Sequence, residues 1–154
     1  MKQNPKNEAL RENLAAGKLA KEGFLGEDDR PPEQIVADDA ATLSEVNLSA
    51  QDLADAMRTL TRLGLEGQGV EVDTKDYTLL VEDYMGSMTC PFRDGRRAAK
   101  RNTRATLKSN GETLTWTDMG VHLIQAHGFF QGKGSAYRLE PLALAAFLRL
   151  IKAE

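Results

Sequence analysis

Four side chains carry the chemistry this sequence offers: Cys90, Asp94, His122 and His127. Cys90 is the only cysteine, and the chain has no third histidine. Thiolate, imidazole and carboxylate are ligand types that zinc takes. Cys90 and Asp94 stand in a C-x3-D spacing, the histidines in an H-x4-H spacing. A tight loop serves the first pair. A helix serves the second, although a five-residue step turns about 140° around a helix. Both rings reach one ion only where the last turn loosens, and Gly128, directly after His127, provides the place. The expected site is mononuclear, with zinc as the cofactor. The competing structural reading packs His122 beside a hairpin and leaves His127 as a polar helix end stabilised by the dipole.

In chain order, a cysteine on a strand or knuckle precedes a hairpin, and the hairpin precedes a helix bearing His-x4-His. That layout partly resembles a Cys2His2 zinc finger, over less than a third of the chain. The resemblance implies zinc held by Cys90, His122 and His127. The finger's second cysteine is absent, and Asp94 would have to substitute for it.

The same residues support a second class of function. Cys90 as nucleophile, His122 as base and Asp118 as orienter would make a thiol-dependent enzyme. Asp118 and His122 are four apart and share a helix face. Against this, a lone cysteine is most often a small buried hydrophobe.

Anion binding is a third direction. GFFQGKGS (128–135) is neither a Walker A loop nor a dinucleotide fingerprint, since its glycine spacing fails both. Gly132, Lys133 and Gly134 still offer backbone N–H groups and a charge to an anion. Arg97 and Arg101 offer charge from the basic segment 93–108. Over 90–110 there are seven basic residues against Asp94 alone, whereas 22–76 holds fourteen acidic residues against four basic. Either the two regions complement each other within the fold, or the basic segment meets RNA or another anion. The basic run has no interleaved aromatic residues for base stacking. DNA is not expected. Residues 42–60 have a helix-turn-helix rhythm, but Asp52 and Asp55 open what would be the recognition helix, where phosphates repel them.

The elements that must position these residues start at Asn110-Gly111, which predicts a type I′ hairpin turn. That register sets Leu107 opposite Leu114 and Ala105 opposite Trp116, all on one buried face. Thr117 then caps a helix with Asp118 in its first turn. Met119, Val121, Leu123, Ile124 and Ala126 form its buried stripe. Gly128 ends it in the left-handed conformation, with Phe129 as apolar partner. Upstream, Leu10, Leu14, Ala15 and Leu19 predict a helix over 7–22, and Phe24 and Leu25 anchor the turn that follows. Pro32 opens a second helix with Ile35, Val36, Ala40 and Leu43 inward and Asp38 and Asp39 outward. Asn47 breaks it. Ser49 caps a third, striped by Leu53, Ala56, Met57, Leu60 and Leu63 and ended by the glycine-rich 64–69. From Val70 the period becomes two, and Leu79, Leu80 and Val81 centre a strand buried within a sheet. RRAAKRN (96–102) reads as an exposed basic connection. Residues 137–139 add a short strand. Pro141 opens a last helix with Leu142, Leu144, Ala145, Leu148 and Ile151.

Helices first and strands afterwards predict an α+β fold with a mostly antiparallel sheet followed by two C-terminal helices. The chain reads as a single domain over 1–154, helical over 1–66 and sheet-plus-helix over 67–154. Hydrophobic content of 41% and charged content of 28% describe a soluble globular chain. No run of about 18 apolar residues exists, so no membrane partner is expected. The charged N-terminus is not a secretory signal, and one cysteine fits a reducing cytoplasm. The expected role is a binding or structural protein with a zinc site. The sequence names no partner; RNA and another protein both stay open.

Overall fold

The computed structural model describes residues 5–15 and 23–152. The fold is α+β. Four strands form one antiparallel sheet in the order β1-β2-β3-β4: β1 (Val72–Asp73), β2 (Tyr77–Thr89), β3 (Arg97–Leu107) and β4 (Thr113–Thr117). Among the described residues five helices accompany it: α1 (Pro5–Leu14), α2 (Pro32–Ser44), α3 (Ala50–Leu65), α4 (Asp118–His127) and α5 (Pro141–Phe147). α3 and α4 pack on each other and on the sheet, while α2 packs on both α1 and α5. Among the described residues, no helix is long and apolar enough to cross a membrane.

The helix signals act locally and are found in place. Ser49 and Asp52 form a reciprocal capping box at the start of α3. Pro32 and Pro141 stand in the first turns of α2 and α5. Asn47 leaves the helical region at φ 59°. The predicted first helix is present as α1, and its expected continuation through Leu19 lies outside the described residues. Phe24 and Leu25 are buried as expected.

Several faces differ from expectation. In α3, Thr61 and Gly64 are buried and Leu63 is exposed. Gly64 allows the helix to settle onto β2, because a Cβ there would lie 2.5 Å from Val81 Cγ2. In α4, Ala126 is exposed. In α2, Ala40 is exposed and Asp39 is buried. The predicted strand at 137–139 is absent, and the two changes share a cause. The Arg138 guanidinium reaches across to grip both Asp39 oxygens at 2.9 Å. A bidentate pair satisfies a carboxylate that would otherwise be costly to bury. Arg138 also bonds Glu140 and the Gln131 carbonyl, so its backbone follows those partners and not a sheet edge.

β2 alternates, with Tyr77, Leu79 and Val81 buried and Leu80 only partly so. The basic stretch expected as an exposed connection is strand from Arg97 onward. A long neighbour makes this favourable. Arg97 donates to the Ser87 and Thr89 hydroxyls of β2, and Arg101 pairs with Asp83 at 2.6 Å. The β2–β3 register is interrupted between Asp83 and Ser87, where Met85 stands out 96% exposed.

The second hairpin forms around Asn110-Gly111, but its register is two residues from the predicted one. Ala105 faces Leu114, and Thr103 faces Trp116. The turn is not type I′: only Gly111 takes positive φ, at 74°. Leu107 and Glu112 close a four-residue loop through Leu107 N–H to Glu112 O, and Asn110 acts through its side chain, accepting from Glu112 N–H. An even shift keeps every side chain on its face. Leu107, Ala105 and Trp116 are therefore buried as expected.

The buried residues among those described form two clusters. One joins α3, the sheet, α4 and α5 through Met57, Leu79, Ala105, Trp116 and Phe147. The other gathers Leu14, Phe24, Ile35, Cys90, Met119, Leu123 and Phe129.

Candidate metal centre

The second cluster reaches the surface where β2 turns into β3. Cys90 follows the last residue of β2 and is fully buried. Its N–H donates to Arg96 O, and its carbonyl accepts from Arg93 N–H, which folds 90–96 into a knuckle. Arg93 and Gly95 take positive φ, 58° and 80°, to complete the bend. Asp94 Oδ1 accepts from Arg96 N–H at 2.8 Å. That bond leaves Oδ2 turned toward α4.

α4 supplies the other half. Thr117 caps it by accepting from Gly120 N–H, and Gly128 closes it at φ 63°. Gly128 N–H bonds Ile124 O, and Phe129 N–H reaches back to Leu123 O. The first bond keeps α-helical spacing and the second, from beyond the helix, closes its end, so α4 stays regular through His127 and the expected loosening of its last turn is not seen. Both imidazoles nevertheless reach the knuckle, because the one Asp94 oxygen sits between them, and their ring centroids lie 5.5 Å apart.

The donor atoms converge. His122 Nε2 lies 2.7 Å and His127 Nε2 2.8 Å from the same Asp94 Oδ2, and Cys90 Sγ lies 3.6 Å from His127 Nε2. One ligand atom from each of the four residues falls within 4.8 Å of the other three. The cluster could hold a metal ion. In tetrahedral zinc, bond lengths of about 2.3 Å to sulfur and about 2.05 Å to nitrogen place those two donors about 3.5 Å apart. The sulfur–nitrogen separation already has that value. The carboxylate oxygen must retreat by roughly 0.6 Å to become a ligand instead of a hydrogen-bond acceptor.

The electrostatics follow from the geometry. Burial opposes the Asp94 charge, but hydrogen bonds from Arg96 N–H and from both imidazoles outweigh it and hold the carboxyl well below its ordinary range. An ionised carboxylate only accepts, so both Nε2 atoms carry the shared protons. Burial, reinforced by the neighbouring Asp94 charge, pushes the Cys90 thiol up to about 11.

Two supports had no expectation attached. Phe92 stacks flat on His127, with centroids 4.0 Å apart and planes 6° from parallel, and meets Phe129 edge-on. Its position two residues after Cys90 was the available signal. Asn13, on α1, donates to Pro91 O at 3.2 Å. Nothing in the sequence links positions 78 residues apart.

The other candidate groupings fare differently. Asp118 pairs with Arg101 at 3.0 Å, and His122 bonds Asp94, so the Cys90–His122–Asp118 triad is not assembled. In the 128–135 loop, Gly132 N–H donates to Phe24 O and Lys133 N–H to the Asp28 carboxylate. Those amides are spent inside the fold, and Gly134 packs beside Glu27. Arg97 and Arg101 stand on β3, away from that loop, each bonded to β2.

No family model matches the chain, and neither any curated protein nor any solved structure matches it. Fold and site together define an α+β protein with a four-residue Cys/Asp/His/His cluster able to hold a metal ion.

Proposed function

We propose that this chain is a zinc-binding protein in which Cys90, Asp94, His122 and His127 hold one ion. The ion clamps the β2–β3 knuckle to α4. The role is structural, in a protein that works by binding. The observation that carries this reading is the convergence of one thiol, one carboxylate oxygen and two imidazole Nε2 atoms within 4.8 Å. A sulfur and two nitrogens favour zinc over calcium or magnesium, which take oxygen ligands. Four protein ligands fill a tetrahedron and leave no open position for a substrate, as in structural sites. The ion would displace the protons now shared with Asp94 and take the thiol as thiolate. A thiol enzyme is less well supported, because Cys90 is buried, its thiol is held protonated by that burial, and the proposed base and orienter are engaged elsewhere. A single cysteine kept for metal accords with a cytoplasmic location.

The test is metal content. Purified wild-type protein should carry about one zinc per chain, and Cys90→Ser and His122→Ala should each lose most of it. Circular dichroism would show whether each variant still folds. Stoichiometry near zero in all three, or undiminished zinc in both variants, would refute the reading.

A further inference from the structure

A second feature lies on the other side of α4's first turn. α3, β3 and the start of α4 enclose a cleft of about 370 Å³ whose lining includes Asp55, Arg58, Thr59, Arg62, Arg101 and Asp118. Three guanidinium groups from two elements thus meet one hollow.

Their commitments differ from those of the other arginines. Arg58 Nε donates to the Gln125 side chain at 2.6 Å, and Arg62 bonds the Thr59 hydroxyl at 3.2 Å. Both acceptors are uncharged, and among the described residues neither arginine makes a salt bridge within 4 Å, although Arg58 acts on Asp118 through space. Arg101 is pinned by two carboxylates, Nε to Asp83 and Nη1 to Asp118. That pinning fixes the plane of its fork and leaves Nη2 with no partner among the described residues. The acids are occupied as well: Asp55 accepts from Gln51 at 2.6 Å, and Asp118 holds Arg101. Counting Asp83, the three acids balance the three arginines around the cleft, but Arg58 and Arg62 are held only by uncharged acceptors and keep N–H groups to offer a ligand.

We propose that this cleft binds a small phosphate-bearing molecule, its phosphate clamped by Arg58, Arg62 and Arg101. Guanidinium forks match both carboxylate and phosphate oxygens. A carboxylate has two oxygens and is saturated by one or two forks. Three forks, two from α3 and one from β3, can together serve a tetrahedral group with three free oxygens. The volume lies at the small end of ligand pockets, so the fit is to a metabolite-sized compound rather than a nucleic-acid strand. The cleft shares no lining residue with the Cys90 cluster.

Titration of the full-length protein with inorganic pyrophosphate, followed by NMR or calorimetry, tests this. Saturable binding at millimolar concentration or below is expected, with shifts confined to the lining of the cleft. Arg58→Gln and Arg62→Gln should each weaken it about tenfold or more, since charge-assisted hydrogen bonds are lost. Both residues are partly or fully exposed, so both variants should fold. Lys75→Gln, remote from the cleft, should bind as wild type does. Absence of saturable binding, indifference to both arginine variants, or equal affinity for succinate would overturn the proposal. So would tighter arginine-dependent binding of single-stranded RNA than of pyrophosphate.

Discussion

Buried between α3 and the sheet, three side chains share one polar chain. Trp116 Nε1–H donates to Thr61 Oγ1 at 3.0 Å, and the Thr61 and Thr103 hydroxyls lie 2.7 Å apart. Thr61 is the middle member. Thr61→Val removes the acceptor of a buried indole and the partner of a buried hydroxyl together, and should cost about 1–3 kcal/mol. Thr103→Val leaves the Trp116 bond intact and should cost nearer about 1 kcal/mol. Urea denaturation of both variants checks the order, and equal costs would show that the indole does not depend on Thr61. Trp116 was legible as a core residue because alternation in its strand put it there. Thr61 was not, since a threonine among charged residues on a helix reads as solvated. Asp28 makes a different residue-scale case. Its carboxylate is nearly buried, and the Arg30 side chain foremost, despite the opposing effect of burial, holds its carboxyl below the ordinary range. An acid with a depressed folded-state pKa stabilises the fold above the unfolded value and loses that contribution as pH falls. Wild-type stability should therefore drop more steeply below about pH 4 than that of Asp28→Asn. Parallel denaturation profiles for the two proteins would remove Asp28 from the acid sensitivity.

At the scale of elements, the packing of α3 on β2 turns on Gly64. A Cβ there would sit 2.5 Å from Val81 Cγ2 and 3.3 Å from Leu79 Cβ. Two effects oppose each other in Gly64→Ala. Helix propensity gains about 1 kcal/mol, while overpacking costs about 1–3 kcal/mol. Because the obstructing atoms belong to a paired central strand, the second effect should win and the variant should be less stable. Val81→Ala would open the space, so the double variant should be more stable than the two single costs added together imply, by about 1 kcal/mol. Additive costs in that cycle would mean the helix simply lifts off. What was legible at this scale was what depends on neighbours in sequence: the Ser49–Asp52 box, the proline starts and the Thr117 to Gly128 bounds of α4. The start of β3 was hidden because four cations in six residues, Arg96 to Arg101, look solvated unless Ser87, Thr89 and Asp83 are known to face them. The hairpin register was missed for a related reason. Asn110 satisfies the turn with its side-chain oxygen, an option that the dipeptide alone does not distinguish from positive φ.

For the whole molecule, the Cys90–Asp94–His122–His127 cluster joins one of two cores found among the described residues through Cys90. Cys90 is a member of the second apolar cluster, with Leu14 of α1 and Leu123 of α4, and Phe92 packs against it. The first cluster, around Leu79, Ala105 and Trp116, contains none of the four proposed ligands. Ligand types and their route to one place were readable, because a hairpin and a short helix bring residues 118–127 back toward 90–94. The involvement of α1 was not readable, since Asn13 meets Pro91 only through the tertiary fold. Under the proposed zinc site, this division should make loss of the ion a local event. Chelation should free the knuckle from α4 while the sheet keeps its own apolar face and hydrogen-bond ladder. Amide exchange should then rise about tenfold or more at Cys90 and Arg93, whose N–H groups close the knuckle, and in α1, which leans on it. The β2–β3 amides between Leu79 and Ala105 should change little, being held by the other core. Hydrogen-exchange mass spectrometry before and after chelator treatment reads both regions in one sample. A uniform rise across the chain would mean that the ion supports the entire fold, and no change at Cys90 and Arg93 would mean that hydrogen bonding to Asp94 holds the knuckle without it.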